Sequence, residues 1–225
     1  MVSSRSKKTI HIYELLAGLF VMTLIVSNIA SVKMVSAGPF VFDAGTILFP
    51  LAYIIGDIVT EIYGFKMMRR LLYVGIITLL VTSLTFWVVG ALPAAADWAN
   101  QGAYDSILGV VWRIAGASIA AIFVGELLNA YVLSSLKIKT KGKKLWGRIV
   151  GSSAIGGLAD TIVFSVLAFA GTMPTNVIIQ LIITVYFIKL ATEIIISPLT
   201  VKIITLIKKS ENIDVYEAPT VNLTR

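Results

Sequence analysis

No cysteine occurs anywhere in the 225 residues, which excludes disulfides and thiolate metal sites. Histidine is nearly as scarce. His11 stands alone at the edge of an apolar stretch, where an imidazole ring is usually interfacial, so no zinc, iron or haem constellation can be assembled and neither a metal nor a cofactor is expected. Charged residues make up only 14% of the chain, and they leave no soluble domain of ordinary size once the apolar stretches are subtracted. A GxxxxGK[ST] phosphate loop is missing, so the chain cannot use ATP itself. HExxH, GxSxG and a paired catalytic aspartate motif are missing too; an intramembrane enzyme is therefore the weakest reading, although Ser, Asp and Lys do occur inside the apolar stretches.

What the chain has in abundance is apolar sequence, 57% of it hydrophobic. Six stretches, Ile10 to Ser31, Ala44 to Ile62, Leu71 to Leu92, Ile107 to Leu136, Ile149 to Gly171 and Val177 to Ile207, each come near or exceed the roughly 20 residues that cross a bilayer as a helix. The expected fold is all-α: a polytopic membrane protein with six transmembrane helices in one domain, residues 1–207, followed by a polar cytoplasmic tail, residues 208–225, that lacks periodicity and is expected to be poorly ordered from Ser210 to Arg225. Val35, Ser36 and Ala37 resemble a signal-peptide cleavage site, but the preceding run is too long for an h-region of roughly 7–15 residues.

Basic residues fix the expected orientation. Arg5, Lys7 and Lys8 precede the first span, Lys66, Arg69 and Arg70 follow the second, six cations from Lys137 to Arg148 separate the fourth and fifth, and Lys208 and Lys209 close the sixth. The alternate links hold only Lys33. The positive-inside rule then places both termini in the cytoplasm of a multi-pass inner-membrane protein. The net charge of +7 is read as topology beside anionic lipid and not as a nucleic-acid site.

The spans divide three and three about the link Pro93 to Ser106, which would make the halves inverted repeats. A short echo supports this: Gly56-Asp57-Ile58-Val59-Thr60 in the second span and Ala159-Asp160-Thr161-Ile162-Val163 in the fifth each carry a mid-span aspartate. Ala117, Ala121 and Gly125 form a small-residue stripe, and Gly147 and Gly151 begin another; close packing within the bundle explains such stripes first, a homodimer face second.

The chemistry must lie in polar groups inside the membrane, because an ionisable side chain at mid-bilayer costs roughly 2.5–3.5 kcal/mol even on the lenient insertion scale. Asp57, Glu126, Asp160, Lys189 and Glu193 fall near the middle of their spans; Asn28 and Arg113 lie toward the outer ends, Glu61 and Asn129 toward the cytoplasm. Residues three or four apart share a helix face, so Asp57 with Glu61, Glu126 with Asn129 and Lys189 with Glu193 give three polar stripes. Mutual neutralisation is the plain alternative, with Lys189 and Glu193 as an intrahelical pair. Lys33, Arg113 and Lys189 are too few for the acids, so some acids are protonated or await a ligand. Pro50 suits a helix entrance, while Pro198 sits inside the sixth span, where it can kink the helix beside buried charge.

Across these residues the sequence resembles the queuosine precursor transporter family, also called the vitamin uptake transporter family. The likeness rests on Ser27-Asn28, Phe49-Pro50 through Gly56-Asp57 to Tyr63-Gly64, Arg113-Ile114-Ala115, Gly125-Glu126, Ser152-Ser153, Asp160-Thr161 and Lys189 with Pro198. It covers nearly the whole chain from the first span to Ile207. The resemblance implies an importer of 7-cyano-7-deazaguanine, and of its aminomethyl relative, for queuosine made on tRNA. It also implies an architecture similar to the substrate-binding components of energy-coupling-factor transporters, and hence the alternative of a capture subunit served by a separate ATPase module.

A guanine-like ring suits the residues independently. Its adjacent N–H donors fit a carboxylate, for which Asp57, Glu126 and Asp160 are candidates, and its acceptors fit Asn28, Asn129 or Lys189. Glu61, Arg113 and Glu193 are supporting or coupling candidates; Phe49, Tyr53, Tyr131 and Tyr186 are candidate stacking faces.

Overall fold

A computed structural model describes residues 12–38, 40–109 and 111–219. The first-span residues Ile10 and His11, the basic residues Arg5, Lys7 and Lys8, and the tail from residue 220 lie outside the described residues. Among those described, helices α1 (Ile12–Ala30), α2 (Phe49–Tyr63), α3 (Phe65–Ala91), α4 (Gln101–Ile107), α5 (Val111–Lys139), α6 (Leu145–Phe169) and α7 (Thr175–Glu211) build the fold. A hairpin of β1 (Met34–Ala37) and β2 (Phe40–Asp43), antiparallel with Met34 opposite Asp43, joins α1 to a 3-10 turn, Ala44–Ile47, that leads into α2. This is an all-α, multi-pass membrane protein.

Five helices, or six counting α2, correspond to the expected spans, and the exception is instructive. α1, α3, α5, α6 and α7 are each long and apolar enough to cross a membrane. α2 has 15 residues, about 22 Å at 1.5 Å per residue, and falls short alone. Ten of its residues, including the whole run Ile55–Ile62, are buried. It is an inner helix enclosed by the others, whereas α3 turns Val74, Ile77, Leu80, Val81, Leu84 and Trp87 outward. An outward apolar face of that length is stable against lipid and not against water.

The ends of the helices extend past the apolar stretches into the basic links. α3 begins at Phe65 and α5 ends at Lys139 because hydrogen-bonded backbone is favoured beyond the hydrocarbon as well as within it. α7 runs unbroken through Pro198.

Two glycines set the closest helix approach. A Cβ on Gly125 of α5 would strike the Asp160 side chain of α6, and one on Gly156 of α6 would lie 2.6 Å from both the Gly125 carbonyl oxygen and the Asn129 Cβ. Only hydrogen fits at either place. The stripe Ala117, Ala121 and Gly125 is therefore buried inside the chain, against α6 at Gly125, while Gly147 and Gly151 have open space where a Cβ would go. Apolar packing fills both ends of the bundle: Phe20, Phe65, Met68, Leu71, Leu133, Ile149 and Ile204 at one, Ala117, Ala168, Leu181 and Val185 at the other.

The tail departs from expectation. Residues 213–217 have no helix or strand, yet they are docked along the basic end. The Val215 amide donates to the Ile62 carbonyl at 3.1 Å, Lys137 donates to the Val215 carbonyl at 2.8 Å, and Lys66 pairs with Glu217 at 2.9 Å. Polar sequence without periodicity lacked a signal for this, because the partners are single charges and backbone groups on other elements.

Candidate functional site

Between the packed ends lies a cavity enclosing about 710 Å³ between atoms, part of it open to solvent. Ser31, Asp43 and Thr46 stand at its hairpin side; Asn28, Glu126, Asp160 and Lys189 supply its inner polar groups; Phe20, Phe49 and Phe164 are apolar walls. Asp43 ties the mouth together, accepting from Ser31 at 2.6 Å through Oδ1 and from Thr46 at 2.9 Å through Oδ2. Gly45 permits this, since a Cβ there would collide with the Ser31 hydroxyl and the Ser27 carbonyl. A second cavity of about 320 Å³, lined by Pro50, Ser153, Tyr186 and Glu193, shares Phe49, Tyr53 and Lys189 with the first. Those three side chains form the partition.

The expected site residues fall into three groups. Asn28, Glu126, Asp160, Lys189, Phe49 and Tyr53 meet at the larger cavity, and Glu193 and Tyr186 line the smaller one. Asp57 and Asn129 lie behind them, bonded to each other at 2.9 Å, with Ser153 at 3.5 Å from the second Asp57 oxygen; neither lines either of these two cavities. Glu61, Arg113 and Tyr131 are elsewhere. Arg113 donates to the Ala170 carbonyl at 2.6 Å and joins α5 to the end of α6. Tyr131 is 40% exposed and meets Phe65 edge-on, pointing away from both cavities because its helix face turns outward there.

Lys189 does not pair with Glu193 four residues on. Its Nζ binds Asp160 Oδ2 at 2.8 Å and rests 3.2 Å from the centre of the Phe49 ring. That arrangement combines an ion pair with a cation–π contact, both strengthened by exclusion of water. Several acceptors in the same region have no close donor among the described residues: both oxygens of Glu126, the Asn28 carbonyl oxygen, one Glu193 oxygen and the Tyr53 hydroxyl. A buried polar group without a partner costs roughly 1–3 kcal/mol, so a concentration of them makes this cavity the candidate site.

The family model described as "Putative vitamin uptake transporter" matches residues 43–203. The chain belongs to that family. Among curated proteins it is similar to the "Probable queuosine precursor transporter" of Bacillus subtilis, with 32% identity over 80% of this chain and 81% of the relative. It is also similar to the "Queuosine precursor transporter" of Escherichia coli, 28% identical over 56% of this chain and 54% of that protein. No solved structure matches the chain.

In this family member the basic end holds a second polar cluster, distinct from the cavities. Glu61 accepts from both terminal nitrogens of Arg148 at 2.6 and 3.0 Å and from Lys208 at 2.8 Å, with Lys137 at 3.7 Å. Lys137 also reaches the Glu61 carbonyl and Asp214, each at 2.6 Å, and lies over the Tyr216 ring. Arg148 and Lys137 read as link charges in the sequence, yet both are buried. The signal was present for Lys137: it continues the stripe Asn129, Leu133, Lys137 at four-residue spacing on the inner face of α5. Ser118, which accepts from Asn28 at 3.2 Å, carried no comparable signal.

Proposed function

We propose that this chain imports queuosine precursors, chiefly 7-cyano-7-deazaguanine, across a bacterial inner membrane, with both termini in the cytoplasm. The observation that carries the reading is the larger cavity, a space inside the bundle, partly open to solvent, whose inner wall presents buried acceptors without a close donor among the described residues. A planar heterocycle rich in N–H groups supplies what those acceptors lack, and the aromatic walls suit its faces. The naming of the two relatives as queuosine precursor transporters supports the same substrate. Lys66, Lys137, Arg148 and Lys208, gathered at the opposite end from the hairpin, favour that end as the cytoplasmic one.

Reconstitution of the purified chain alone into liposomes tests this. Uptake of labelled 7-cyano-7-deazaguanine, and thermal stabilisation by it but not by riboflavin or biotin, is the expected outcome. Binding without uptake by the chain alone would assign it instead to capture on behalf of an energising partner. Equal stabilisation by the vitamins would remove the substrate.

A further inference from the structure

Besides Asp43 at the mouth, which Ser31 and Thr46 occupy, three carboxyls stand at or beside the larger cavity, and their partners separate them. Asp57 is occupied by Asn129 and Ser153 and lines neither cavity. Asp160 lines the larger cavity with Oδ2 held by Lys189. Glu126 lines the cavity at 2% exposure with no hydrogen bond of 3.5 Å or less to either oxygen among the described residues; its neighbouring donor is the Asn129 amide, whose direct bond goes to Asp57. Gly56 accommodates it: a Cβ there would lie 2.8 Å from Glu126 Oε2 and 3.2 Å from the Met68 Cε, so α2 bounds the carboxyl group from behind without donating to it.

The other inward polar atoms describe the rest of the ligand. Asn28 is fixed through its amide nitrogen, which donates to the Leu24 carbonyl at 2.8 Å and to Ser118 at 3.2 Å, so its orphaned Oδ1 is an acceptor. Lys189 has three N–H groups and one carboxylate partner, so it is a donor. The set asks for a ligand with two adjacent N–H donors, one further N–H and one acceptor.

We propose that Glu126 is the specificity-determining residue and that it reads the amino-pyrimidinone edge of a guanine-like ring. Its two oxygens accept the ring N–H and the exocyclic amino N–H in parallel, a bidentate arrangement that fixes the ring's orientation as well as its affinity. Lys189 is left to donate to the ring carbonyl, and Asn28 to accept a further N–H. The inference rests on the substrate class proposed above and narrows it: the site selects for the 2-amino group, and the substituent on the five-membered ring is read elsewhere. A ring without that amino group leaves one buried Glu126 oxygen unpaired, and sites built to bond a substrate N–H reject analogues that lack it strongly.

The experiment is equilibrium binding of two ligands to detergent-purified protein: 7-cyano-7-deazaguanine and the same molecule without its 2-amino group. Wild-type protein is expected to prefer the amino compound by about 100-fold or more. In Glu126→Gln, where an amide NH2 faces the ligand's donors, that preference collapses to within a few-fold; in Asp57→Asn it persists. Equal affinity of the two ligands for wild-type protein overturns the assignment without any variant needing to fold. Retention of the preference in Glu126→Gln, or its loss in Asp57→Asn alone, also overturns it. If neither ligand binds the wild-type protein, the substrate class itself is wrong and this inference falls with it; binding without discrimination condemns the role of Glu126 alone.

Discussion

Glu61 and Glu126 are both buried glutamates, and their surroundings are opposites. Glu61 has Arg148, Lys137 and Lys208 about its carboxylate within 4 Å, drawn from α5, α6 and α7. Glu126 has no cation beside it and no hydrogen bond of 3.5 Å or less to either oxygen among the described residues, only the Asn129 amide nearby. On our proposal the same side chain serves two purposes, set by its company. A carboxylate answered by fixed cations locks helices together, and one left unanswered inside a cavity is available to a ligand. Intermediate between them stands Asp160, answered by a single lysine that also faces both cavities.

The largest effect should come from breaking the answered cluster. Glu61→Gln leaves Arg148 and Lys137 as buried cations with fewer acceptors, and breaking a buried pair by removing one partner typically costs roughly 3–5 kcal/mol. Unfolding in detergent should show that loss. Recovery of most of it in Glu61→Met with Arg148→Met would mark the cluster as structural glue and not as a part of transport. If Glu61→Gln is as stable as the parent yet inactive, the contrast with Glu126 is wrong.

Glu126→Gln should show the reverse pattern, with stability retained and uptake reduced by about 100-fold in liposomes, because a Gln oxygen can still face the Asn129 amide while the ligand's second acceptor is lost. Lys189 should fall between. Lys189→Met strands Asp160 inside the bundle and should lower stability by roughly 1–3 kcal/mol. The double variant with Asp160→Asn should regain stability without regaining uptake. Regained uptake would remove Lys189 from the ligand's path.

How much of this was legible beforehand follows from the range over which each force acts. The spans were readable because burial in lipid acts on every residue of a 20-residue stretch, and the polar stripes because helical spacing is regular. Asn28, Glu126, Asp160 and Lys189 were brought together as their rarity in apolar sequence suggested. Pairings between helices were another matter. Lys189 chose Asp160 on α6 over Glu193 on its own helix, and Asp57 and Glu61, sharing one stripe on paper, belong to different clusters. Such choices depend on interhelical distances, which Gly125 and Gly156 set by letting α5 and α6 approach closely. The docked tail was invisible for the same reason: Asp214 finds Lys137 and Lys208 only after α5 and α7 have been placed side by side.

The smallest effect lies at that tail, where the answered cluster meets solvent. Burial works to raise the Asp214 pKa, but hydrogen bonds from Lys137 and Lys208 outweigh it and hold the carboxyl below its ordinary value of 3.8. With the folded value lower than the unfolded one, the acid contributes to docking fully above pH 3.8 and loses that contribution as pH falls through the folded value. The side chain is 41% exposed, so solvent and salt screen the interaction and the effect is modest. Hydrogen exchange at the Val215 amide, which is bonded to the Ile62 carbonyl, reports docking directly. Protection relative to Asp214→Asn should be present at neutral pH, shrink with added salt, and vanish in acid. Equal protection in the two proteins at neutral pH would show that the tail is held by its backbone bonds and apolar contacts alone, and that the cations at this end answer Glu61 and nothing else.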